Sequence, residues 1–548
     1  MDTEADQEMA PPAAAGLIPR LRQADAWVNM LLAILSGVLA GLAFPPFELW
    51  PLAWVALVPL LIALRRTSAL RFAGYLALLF GMSLCAVSLH WMTAIFGPLA
   101  VGVFFLASLP WLLFGLAYRL LSDRSGPWLV LLLTPVLWLA VDWIRCEGWY
   151  FEFSWLQLGF TVVPWEGARA ALYPLLGVYG VTYLIVFVNM IIAGLLISRQ
   201  MKYLLVAYKV ILVKLAAIIS FFVLLVLGSA LFKSFRPGDE GEIPFYQGYS
   251  FGAFYEYFGG YQQESEDDVP VKALLVQSED GSLDTNLTLT KSVFPHDQSQ
   301  PVLIVWPEYA LPEYPLDDPL AKTDLVKIQQ FARDTRSTIV FGTKTRAPAG
   351  TQCDWLRRRA MLATDGGLFY NTAVVVGTDG NILGKYHKTH PIQFFSDGVP
   401  GQSFEPVGTS LGKLGISICY DLDFASTTVY LVRKGANVLV TPTYDALSWG
   451  ETQHRQHSRM AQARAAETNR WVARATTSGI SQIIDNHGNL KVTIPFGVSD
   501  AQTGDVELRA VFTPYIRFTW LLPYLCLVIS LCWALWLAVS AVRKRWNF

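Results

Sequence analysis

The sequence predicts a multi-domain protein: an all-α transmembrane bundle of eight helices and an α/β domain inserted before the last helix. Charged residues make up 16% of the 548 residues, against about 25% in soluble domains. They are unevenly spread, and only the later part alternates short apolar strands with helices. The expected segments are a cytoplasmic N-terminal tail (1–26), a seven-helix bundle (27–233), an aromatic- and Gly-rich linker or insert (234–271), the α/β domain (272–516), and a last helix with a cytoplasmic tail (517–548).

The N-terminal tail contains Pro, Ala and acidic residues, followed by Arg20 and Arg22. A signal peptide has a short apolar region and a cleavage site. The apolar run that follows this tail is long and is succeeded by further apolar runs. We therefore interpret it as the first membrane helix rather than as a signal peptide.

A membrane-spanning helix needs about 20 apolar residues, with a lower limit near 17. The short second run is expected to pair with the first as a tight hairpin through FPPFELWP. The eight predicted runs are 27–45, 51–65, 70–94, 98–120, 127–145, 172–197, 211–233 and 517–541.

Basic residues indicate the orientation, because cytoplasmic loops carry an excess of Lys and Arg. Alternate connections hold all the basic clusters, whereas the turn WMTAIFGPLA contains no Lys or Arg. This pattern predicts cytoplasmic termini and places residues 234–516 on the opposite side. The residues concerned are Arg20, Arg22, Arg65, Arg66, Arg71, Arg119, Arg124, Arg199, Lys202, Lys209, Arg543, Lys544 and Arg545.

A helix bundle is also typical of transporters and channels, which carry ionisable residues at mid-membrane. The predicted helices are nearly uncharged in their middles, and Asp142 and Arg145 fall near the outer end of the fifth run. The bundle is therefore predicted to be a platform rather than an ion path. A net charge of −1 gives no reason to expect a nucleic-acid partner.

The α/β domain is predicted from apolar runs bounded by turn signals. Hairpins are expected around Asp379-Gly380 and His487-Gly488. Helices that cover the faces of sheets give the fold class. The expected strands include VKALLVQ, PVLIVWPEY, STIVFGTKT, KLGISICYD and ANVLVTPTY, and the expected helices lie at about 319–335, 424–435 and 452–469.

Three polar residues follow predicted strands: Glu308, Lys388 and Cys419. Functional residues favour such strand ends, where a rigid scaffold positions them. A thiol needs a base to become a nucleophile, and a carboxylate can take its proton. An ammonium group can stabilise the oxyanion that forms when the thiolate attacks a carbonyl. These three residues are the predicted catalytic group.

Two other interpretations remain open from the residues alone. Cys419 can be a buried, inert thiol at the end of a strand, since free Cys is among the most buried residue types. A Cys-His-Asp trio is the competing catalytic arrangement, but spacing links none of the available histidines to Cys419. Those histidines are His387, His390, His454 and His457. The six cysteines show no metal-ligand spacing.

The motifs VWPEYA, KYHKTH and GISICYD, in this order, resemble the carbon–nitrogen hydrolase (nitrilase) superfamily, as does the later MAQARAAETNRWVARATTSGISQIID. The resemblance implies a nitrilase-like αββα sandwich with a Glu-Lys-Cys triad. The stretches WIRCEGWYFEFSWLQLGFTVVPWEG and LLGVYGVTYLIVFVN resemble the membrane segment of apolipoprotein N-acyltransferases. The resemblance covers nearly the whole chain.

The resemblance implies the last step of bacterial lipoprotein maturation. Cys419 would take an acyl chain from a membrane phospholipid as a thioester and pass it to the amine of a diacylglyceryl-cysteine apolipoprotein. Glu308 would be the general base and later the acid, and Lys388 would stabilise the oxyanion. No metal or organic cofactor is implied. The expected location is the bacterial inner membrane, with the catalytic domain on the periplasmic side.

This sequence departs from the family pattern near two of the motifs. The family has an acidic residue after the lysine. In PIQFFSDGVPG the corresponding acid is Asp397, one place later, or else no residue fills that position. Tyr420-Asp421 stands where the family has Tyr-Glu. Tyr420, Asp421 and Asp397 are accordingly predicted as supporting residues. The alternatives are a membrane-tethered amidase, an N-acyltransferase with another amine acceptor, and a scaffold without catalysis.

Overall fold

A computed structural model of the protein describes residues 14–197, 270–295, 301–311, 314–318, 322–353, 367–393 and 395–546. The predicted seventh membrane helix (211–233) lies outside the described residues. The predicted insert (234–271) lies outside them too, except for its last two residues, which begin the first strand.

The membrane part begins with helices that follow one another through short connections. In the described residues before the α/β domain these are α1 (Ala14–Leu42), α2 (Val58–Arg66), α3 (Leu70–Ser88), α4 (Met92–Phe96), α5 (Ala100–Arg124), α6 (Pro127–Glu147) and α7 (Tyr173–Ile197). α3 packs against both α1 and α5, and α5 also packs against α6.

Two boundaries differ from the sequence prediction. α1 begins 13 residues before residue 27, so half of the predicted tail is helical. The run 51–65 contributes only the nine-residue α2, because Pro51 lies in a separate 3-10 turn and Pro59 marks the start of the next helix. The expected pairing with α1 is present, and the Ser36 hydroxyl donates to the Ala56 carbonyl at 2.5 Å.

The α/β domain follows. Its strands are β1 (Pro270–Gln277), β2 (Val302–Val305), β3 (Thr338–Arg346), β4 (Phe369–Val376), β5 (Ile382–His387), β6 (Val407–Thr409), β7 (Gly412–Ile416), β8 (Val438–Thr443), β9 (Val472–Thr476), β10 (Ser481–Ile484), β11 (Leu490–Ile494) and β12 (Asp500–Glu507). Its helices are α8 (Leu283–Ser292), α9 (Lys322–Thr335), α10 (Ala425–Arg433), α11 (Glu451–Thr468) and α12 (Pro514–Arg517).

The strands form two six-stranded sheets, ordered β12-β1-β2-β3-β4-β5 and β11-β10-β9-β8-β7-β6. The sheets face each other, with β1 against β9 and β3 against β8. α8 and α9 pack on the first sheet through one apolar core, and α10 and α11 pack on the second through another. The predicted sheet-and-helix domain is therefore present, and the sequence prediction missed β6 and β12.

Parallel pairing explains why polar residues collect at one edge. β1, β2 and β3 are parallel neighbours, and so are β7, β8 and β9. Such strands are buried on both faces, which accounts for their continuous apolar runs. Their carboxyl ends lie at a common edge, where ligands bind in open parallel sheets. Glu308 follows β2 and Cys419 follows β7.

After the α/β domain, α13 (Leu522–Trp546) closes the described chain. Within the described ranges, six stretches are long and apolar enough to cross a membrane, so the protein is a membrane protein. These are Asp25–Leu42, Leu70–Ser88, Met92–Arg124, Pro127–Glu147, Ala168–Ile197 and Thr519–Val542. Of the eight predicted runs, 51–65 is too short in the structure and 211–233 is not described.

The α/β domain is fastened to the loops between membrane helices through α11. The Gln456 amide donates to the Pro45 carbonyl at 2.9 Å and to the Ser88 carbonyl at 2.7 Å. On the same helix, Arg459 forms a bidentate ion pair with Glu48, and both contacts are 2.9 Å long. These contacts hold the end of the sheets above the membrane loops.

Candidate active site

Glu308 is buried behind the end of β2 with both carboxylate oxygens engaged. Its Oε1 accepts from Lys388 Nζ at 2.9 Å and from Asn371 Nδ2 at 2.5 Å. Its Oε2 accepts from the backbone N–H of Tyr444 at 2.7 Å. Donors on β4 and directly after β5 and β8 therefore fix the carboxylate in one orientation.

Lys388 lies directly after β5, and its ammonium contacts a second carboxylate. Lys388 Nζ is 2.8 Å from Asp397 Oδ2. Asp397 is held in turn by the Tyr309 hydroxyl at 2.9 Å and the Ile392 N–H at 2.8 Å. The structure thus places the acid of PIQFFSDGVPG against the lysine, although it stands one position later than in the family pattern.

Burial and charge act in opposite directions on these two groups. Burial alone would lower the pKa of Lys388, but the carboxylates of Asp397 and Glu308 raise it well above its usual value. Burial raises the pKa of Glu308, and the Asp397 charge raises it further against the opposing effect of Lys388. Lys388 is therefore a permanent cation, whereas Glu308 is a carboxylate that takes up a proton easily.

Cys419 follows β7 in a left-handed conformation, with φ of +50°. A positive φ is uncommon for a residue other than Gly, and such strained positions cluster at functional sites. The thiol is buried and lies 3.6 Å from the Tyr444 carbonyl oxygen, to which it donates. Burial raises its pKa well above the usual value, and Glu308 adds to this effect. The resting group is a thiol that needs a base.

The backbone of Tyr444 joins the base to the thiol. Its N–H donates to Glu308 and its carbonyl oxygen accepts from Cys419. The three residues predicted to form the catalytic group are thus brought together at the ends of strands from both sheets. Their arrangement allows a proton to leave the sulfur for the carboxylate, next to a fixed positive charge.

The supporting residues Tyr420 and Asp421 occupy the turn that begins at Cys419. Asp421 Oδ1 accepts from the backbone N–H of His390 at 2.7 Å, and Oδ2 accepts from the Tyr386 hydroxyl at 3.0 Å. Burial would raise the pKa of Asp421, but its hydrogen bond from His390 and the nearby positive charges lower it. The Tyr420 hydroxyl donates to the Glu152 carbonyl at 2.9 Å, which ties this turn to the membrane part.

An apolar cavity of about 170 Å³ reaches the Cys419 sulfur from the membrane side. α4, α5 and the loop after α6 supply most of its walls, and the α/β domain supplies the wall that contains Cys419 and Tyr420. Lining residues from the membrane part include Met92, Phe96, Leu106, Phe151 and Trp155. Such a cavity suits a hydrocarbon chain whose reactive end lies at the sulfur.

The structure also shows where the histidines of the competing Cys-His-Asp arrangement lie. His387 stacks on Tyr370 with ring centroids 4.3 Å apart, and His454 contacts the Ala446 carbonyl at 3.1 Å. His457, in contrast, lies beside the thiol. A ring nitrogen of His457, a carboxylate oxygen of Asp445 and the Cys419 sulfur lie within 4.8 Å of one another.

Sequence reasoning missed Asn371, Asp445 and the position of His457. Asn371 is a fully buried amide in an otherwise apolar strand, a place where Asn is rare. Asp445 follows the buried strand β8, just as Glu308 follows β2. The same test of polar residues after apolar runs would have selected Asp445. Nothing in the sequence links His457 to a thiol 38 positions earlier.

The cluster around Asp445 does not fit a metal ion. Asp445 Oδ2 accepts from the Arg474 guanidinium at 2.6 Å, and Oδ1 accepts from Gln453 at 3.1 Å. Burial would raise the pKa of Asp445, but its neighbours His457 and Arg474 lower it well below the usual range. A cation that is part of the chain thus already balances this carboxylate.

Comparison with known proteins adds a family to this geometry. Residues 278–511 match the carbon-nitrogen hydrolase family, and residues 36–191 match the N-terminal domain of apolipoprotein N-acyltransferases. A crystal structure of a carbon-nitrogen hydrolase from Helicobacter pylori aligns with 46% of this chain and 94% of its own, at 19% identity and a TM-score of 0.36. Fold and site together define a carbon–nitrogen hydrolase domain carried by a membrane bundle.

The relatives share both parts. The apolipoprotein N-acyltransferase of Geobacter metallireducens is 25% identical over 89% of this chain and 91% of its own length. That of Pseudomonas paraeruginosa is 29% identical over 93% of this chain and 96% of its own. The chain belongs to the apolipoprotein N-acyltransferase family.

Proposed function

We propose that this protein transfers an acyl chain from a membrane phospholipid to the N-terminal amine of a diacylglyceryl-cysteine lipoprotein. One observation carries the proposal: Cys419 lines an apolar cavity whose walls come mostly from the membrane part of the protein. Family membership supports the same reaction class. A thiol so placed meets the ester end of a lipid whose chains occupy apolar surroundings.

In the first half-reaction, Glu308 takes the proton of Cys419 and the thiolate attacks the ester carbonyl of the phospholipid. Lys388, held between two carboxylates, stabilises the oxyanion. The C–O bond breaks, the lysophospholipid leaves with the proton from Glu308, and the acyl chain stays on sulfur as a thioester. A buried carboxylate with a raised pKa suits both the acceptance and the return of this proton.

In the second half-reaction, the amine of the lipoprotein attacks the thioester carbonyl. The new C–N bond forms, the C–S bond breaks, and the sulfur recovers a proton. Both substrates are lipid-anchored, so a site that opens on membrane helices brings them together without removing either from the bilayer. Positioning of this kind lowers the entropy cost of a bimolecular reaction.

The proposed orientation places both termini in the cytoplasm. It places the catalytic domain, residues 272–516, on the periplasmic side of a bacterial inner membrane. The one-sided distribution of Lys and Arg in the sequence supports this orientation.

The test uses the purified full-length protein in detergent micelles that contain phosphatidylethanolamine. Intact-mass measurement is expected to show one acyl adduct on the wild type and none on Cys419→Ala. A synthetic diacylated lipopeptide, added next, should remove the adduct and appear as a triacylated product. Cys532→Ala is the matched control, because Cys532 is an exposed thiol on α13 and its loss should leave the adduct intact.

Two outcomes would contradict the proposal in different ways. An equal adduct on Cys419→Ala would reject the thioester. An adduct that persists in the presence of the lipopeptide, with no triacylated product, would reject the acceptor and favour another amine. Rapid loss of the adduct to water would instead indicate a membrane-tethered amidase.

A further inference from the structure

His457 lies on the cavity side of the nucleophile. It lines the apolar cavity together with Cys419 and Gln453, whereas Glu308 and Lys388 are not among the cavity-lining residues that the structure describes. The His457 side chain is 2% exposed. The carboxylate of Glu308 thus lies on the side of the sulfur away from the cavity. The imidazole of His457 lies on the cavity side, from which lipid substrates would arrive.

A network of hydrogen bonds fixes the orientation of this imidazole. His457 Nδ1 is 2.8 Å from Asp445 Oδ1. Asp445 is in turn held by Arg474 and Gln453, and the Asp445 carbonyl accepts from the Ser478 hydroxyl at 2.7 Å. A carboxylate on one ring nitrogen selects the tautomer that carries the proton there. Arg474 Nη2 also lies 3.0 Å from Nδ1, but it donates over the shorter distance of 2.6 Å to Asp445 Oδ2. We therefore assign the proton to Nδ1, which leaves Nε2 as an acceptor.

Nε2 makes no hydrogen bond with any residue that the structure describes. It lies 3.4 Å from Asp423 Oδ1, which also lacks a hydrogen-bond partner within the described part of the chain. Leaving a buried polar atom without a partner costs free energy. A partner that arrives with the substrate would explain why such an atom is kept at a cavity wall.

The groups around the imidazole come from several elements. Asp423 and Cys419 lie in the turn after β7, Asp445 follows β8, Arg474 lies on β9, and Trp155 covers one face of the ring at a centroid distance of 5.9 Å. Further charged or titratable groups nearby are His454, which approaches Asp445 to 3.7 Å, and Arg145 and Glu152 in the cavity wall.

We propose that His457 is a catalytic acid–base residue of the second half-reaction, an inference that rests on the proposed acyl transfer. As the free amine attacks the Cys419 thioester, one N–H proton passes to His457 Nε2. The C–N bond forms and the C–S bond breaks, and the imidazolium returns the proton to the departing sulfur. The imidazole ends neutral, and no other reactant is required.

The geometry separates this task from that of Glu308. Glu308 is enclosed by Lys388, Asn371 and the Tyr444 amide, so an amine in the cavity meets His457 first. An imidazole acts as acid and base near neutral pH. General acid–base catalysis of this kind contributes roughly 100-fold to 10,000-fold to a rate.

The experiment compares two acyl acceptors on the full-length protein. Wild type and His457→Gln are loaded with acyl chain from phosphatidylethanolamine micelles, separated from excess lipid, and mixed with either a diacylated lipopeptide or hydroxylamine. Hydroxylamine is unprotonated at neutral pH and attacks thioesters without a base. In His457→Gln, we expect transfer to the lipopeptide to slow about 100-fold or more, with acyl loading and reaction with hydroxylamine unchanged.

His454→Gln is the matched control, since it makes the same substitution one turn away beside the same Asp445 but does not line the cavity. Wild-type transfer by His457→Gln would overturn the inference. Equal slowing of loading, of hydroxylamine reaction and of transfer would overturn it as well, because it would indicate a structural role. His457→Asn serves if His457→Gln does not fold. A wild type that forms no adduct would instead reject the proposed function.

Discussion

The carboxylate of Asp421 accepts two hydrogen bonds from Thr389, one from its backbone N–H at 3.0 Å and one from its hydroxyl at 2.8 Å. Thr389 directly follows Lys388, and Asp421 lies two residues after Cys419. Asp421 also accepts from the Ile418 N–H at 3.1 Å. One buried carboxylate therefore sets the distance between the turn that carries the thiol and the strand end that carries the ammonium.

Replacement of Asp421 should slow acylation without removing any reacting group. In Asp421→Asn, the side-chain NH₂ would face N–H donors, and the two segments would separate. A displacement of about 1 Å at a reacting centre can cost roughly 100-fold in rate, and we expect a loss of this order. The measurement is single-turnover adduct formation by intact mass.

Asp421→Glu is the control for charge, because it keeps a carboxylate at this position. This variant should retain more activity than Asp421→Asn. Equal activity of wild type and Asp421→Asn would show that the bridge to Thr389 does not position the site.

Gly342 gives a second prediction, because the backbone of Glu308 passes directly over it. A Cβ at Gly342 would lie 2.5 Å from Glu308 Cα and 2.7 Å from Tyr309 N. Backbone atoms cannot yield as a flexible side chain does, so Gly342→Ala should push the Glu308 segment outward. We expect a loss of acylation of about 100-fold, with a lower apparent Tm.

Gly408→Ala is the matched control, since a Cβ there meets no atom within 4 Å. It tests the same substitution in a strand of the same domain, and both its activity and its apparent Tm should equal those of the wild type. If the two variants behaved alike, close approach at Gly342 would not matter.

The pH dependence of acylation should report Glu308. The reaction requires its ionised form, so the rate should rise with pH through the raised pKa of this carboxyl group. Asp397 is one cause of that rise, because its negative charge opposes ionisation of Glu308. Asp397→Asn should therefore move the acidic limb of the pH–rate profile to lower pH. The plateau rate should fall, because Lys388 loses one partner.

Tyr309→Phe separates charge from hydrogen bonding in this test. It removes the hydroxyl that donates to Asp397 but leaves both carboxylates in place, so its acidic limb should stay where the wild type has it. A limb in Asp397→Asn that moves to higher pH, or does not move, would contradict the assigned role of the two charges.

Asp445 predicts a pH-dependent stability. Its folded-state pKa lies well below the usual value, so its contribution is present above the pKa of an unfolded Asp, about 3.9. That contribution is lost as the pH falls through the folded value. Removing one partner of a buried pair costs about 3–5 kcal/mol. Asp445→Asn should lower the apparent Tm at pH 7, and the gap to wild type should narrow below pH 4.

The measurement is thermal unfolding in detergent, followed by tryptophan fluorescence. Asp505→Asn is the control, because its pair with Lys272 is largely exposed and exposed pairs contribute about 0–1 kcal/mol. A constant gap between wild type and Asp445→Asn at all pH values would argue against an ionised Asp445 as the source of stability.

The sequence predicted those parts of the molecule that depend on local pattern. Apolar runs that end in a polar residue located Glu308 and Cys419 at strand ends, because strands buried on both faces have continuous apolar sequences. The hairpin signal at Asp379-Gly380 located Lys388 after the second strand of that hairpin. β12 escaped prediction, since its sequence DAQTGDVE has few apolar residues and its pairing with β1 supplies the order. The run 51–65 was apolar enough for a span, but its two prolines divide it.

The relation between His457 and Cys419 depends on tertiary packing. α11 must pack against the turn after β7 before the imidazole reaches the sulfur, and no residue spacing encodes that contact. Buried Gln, His and Arg side chains on one helix were the available signal, because polar groups remain inside a fold only with partners.

The fastening of α11 to the membrane loops has a kinetic consequence. With Gln456 and Arg459 anchored to Pro45, Ser88 and Glu48, the thiol cannot swing out to collect substrate from solution. Under the proposed function, substrate would reach the thiol by lateral diffusion in two dimensions, so the turnover rate should follow the mole fraction of lipid substrate in the surface. Dilution with inert detergent, at constant total substrate and enzyme, should slow the reaction. Dilution with water alone should not.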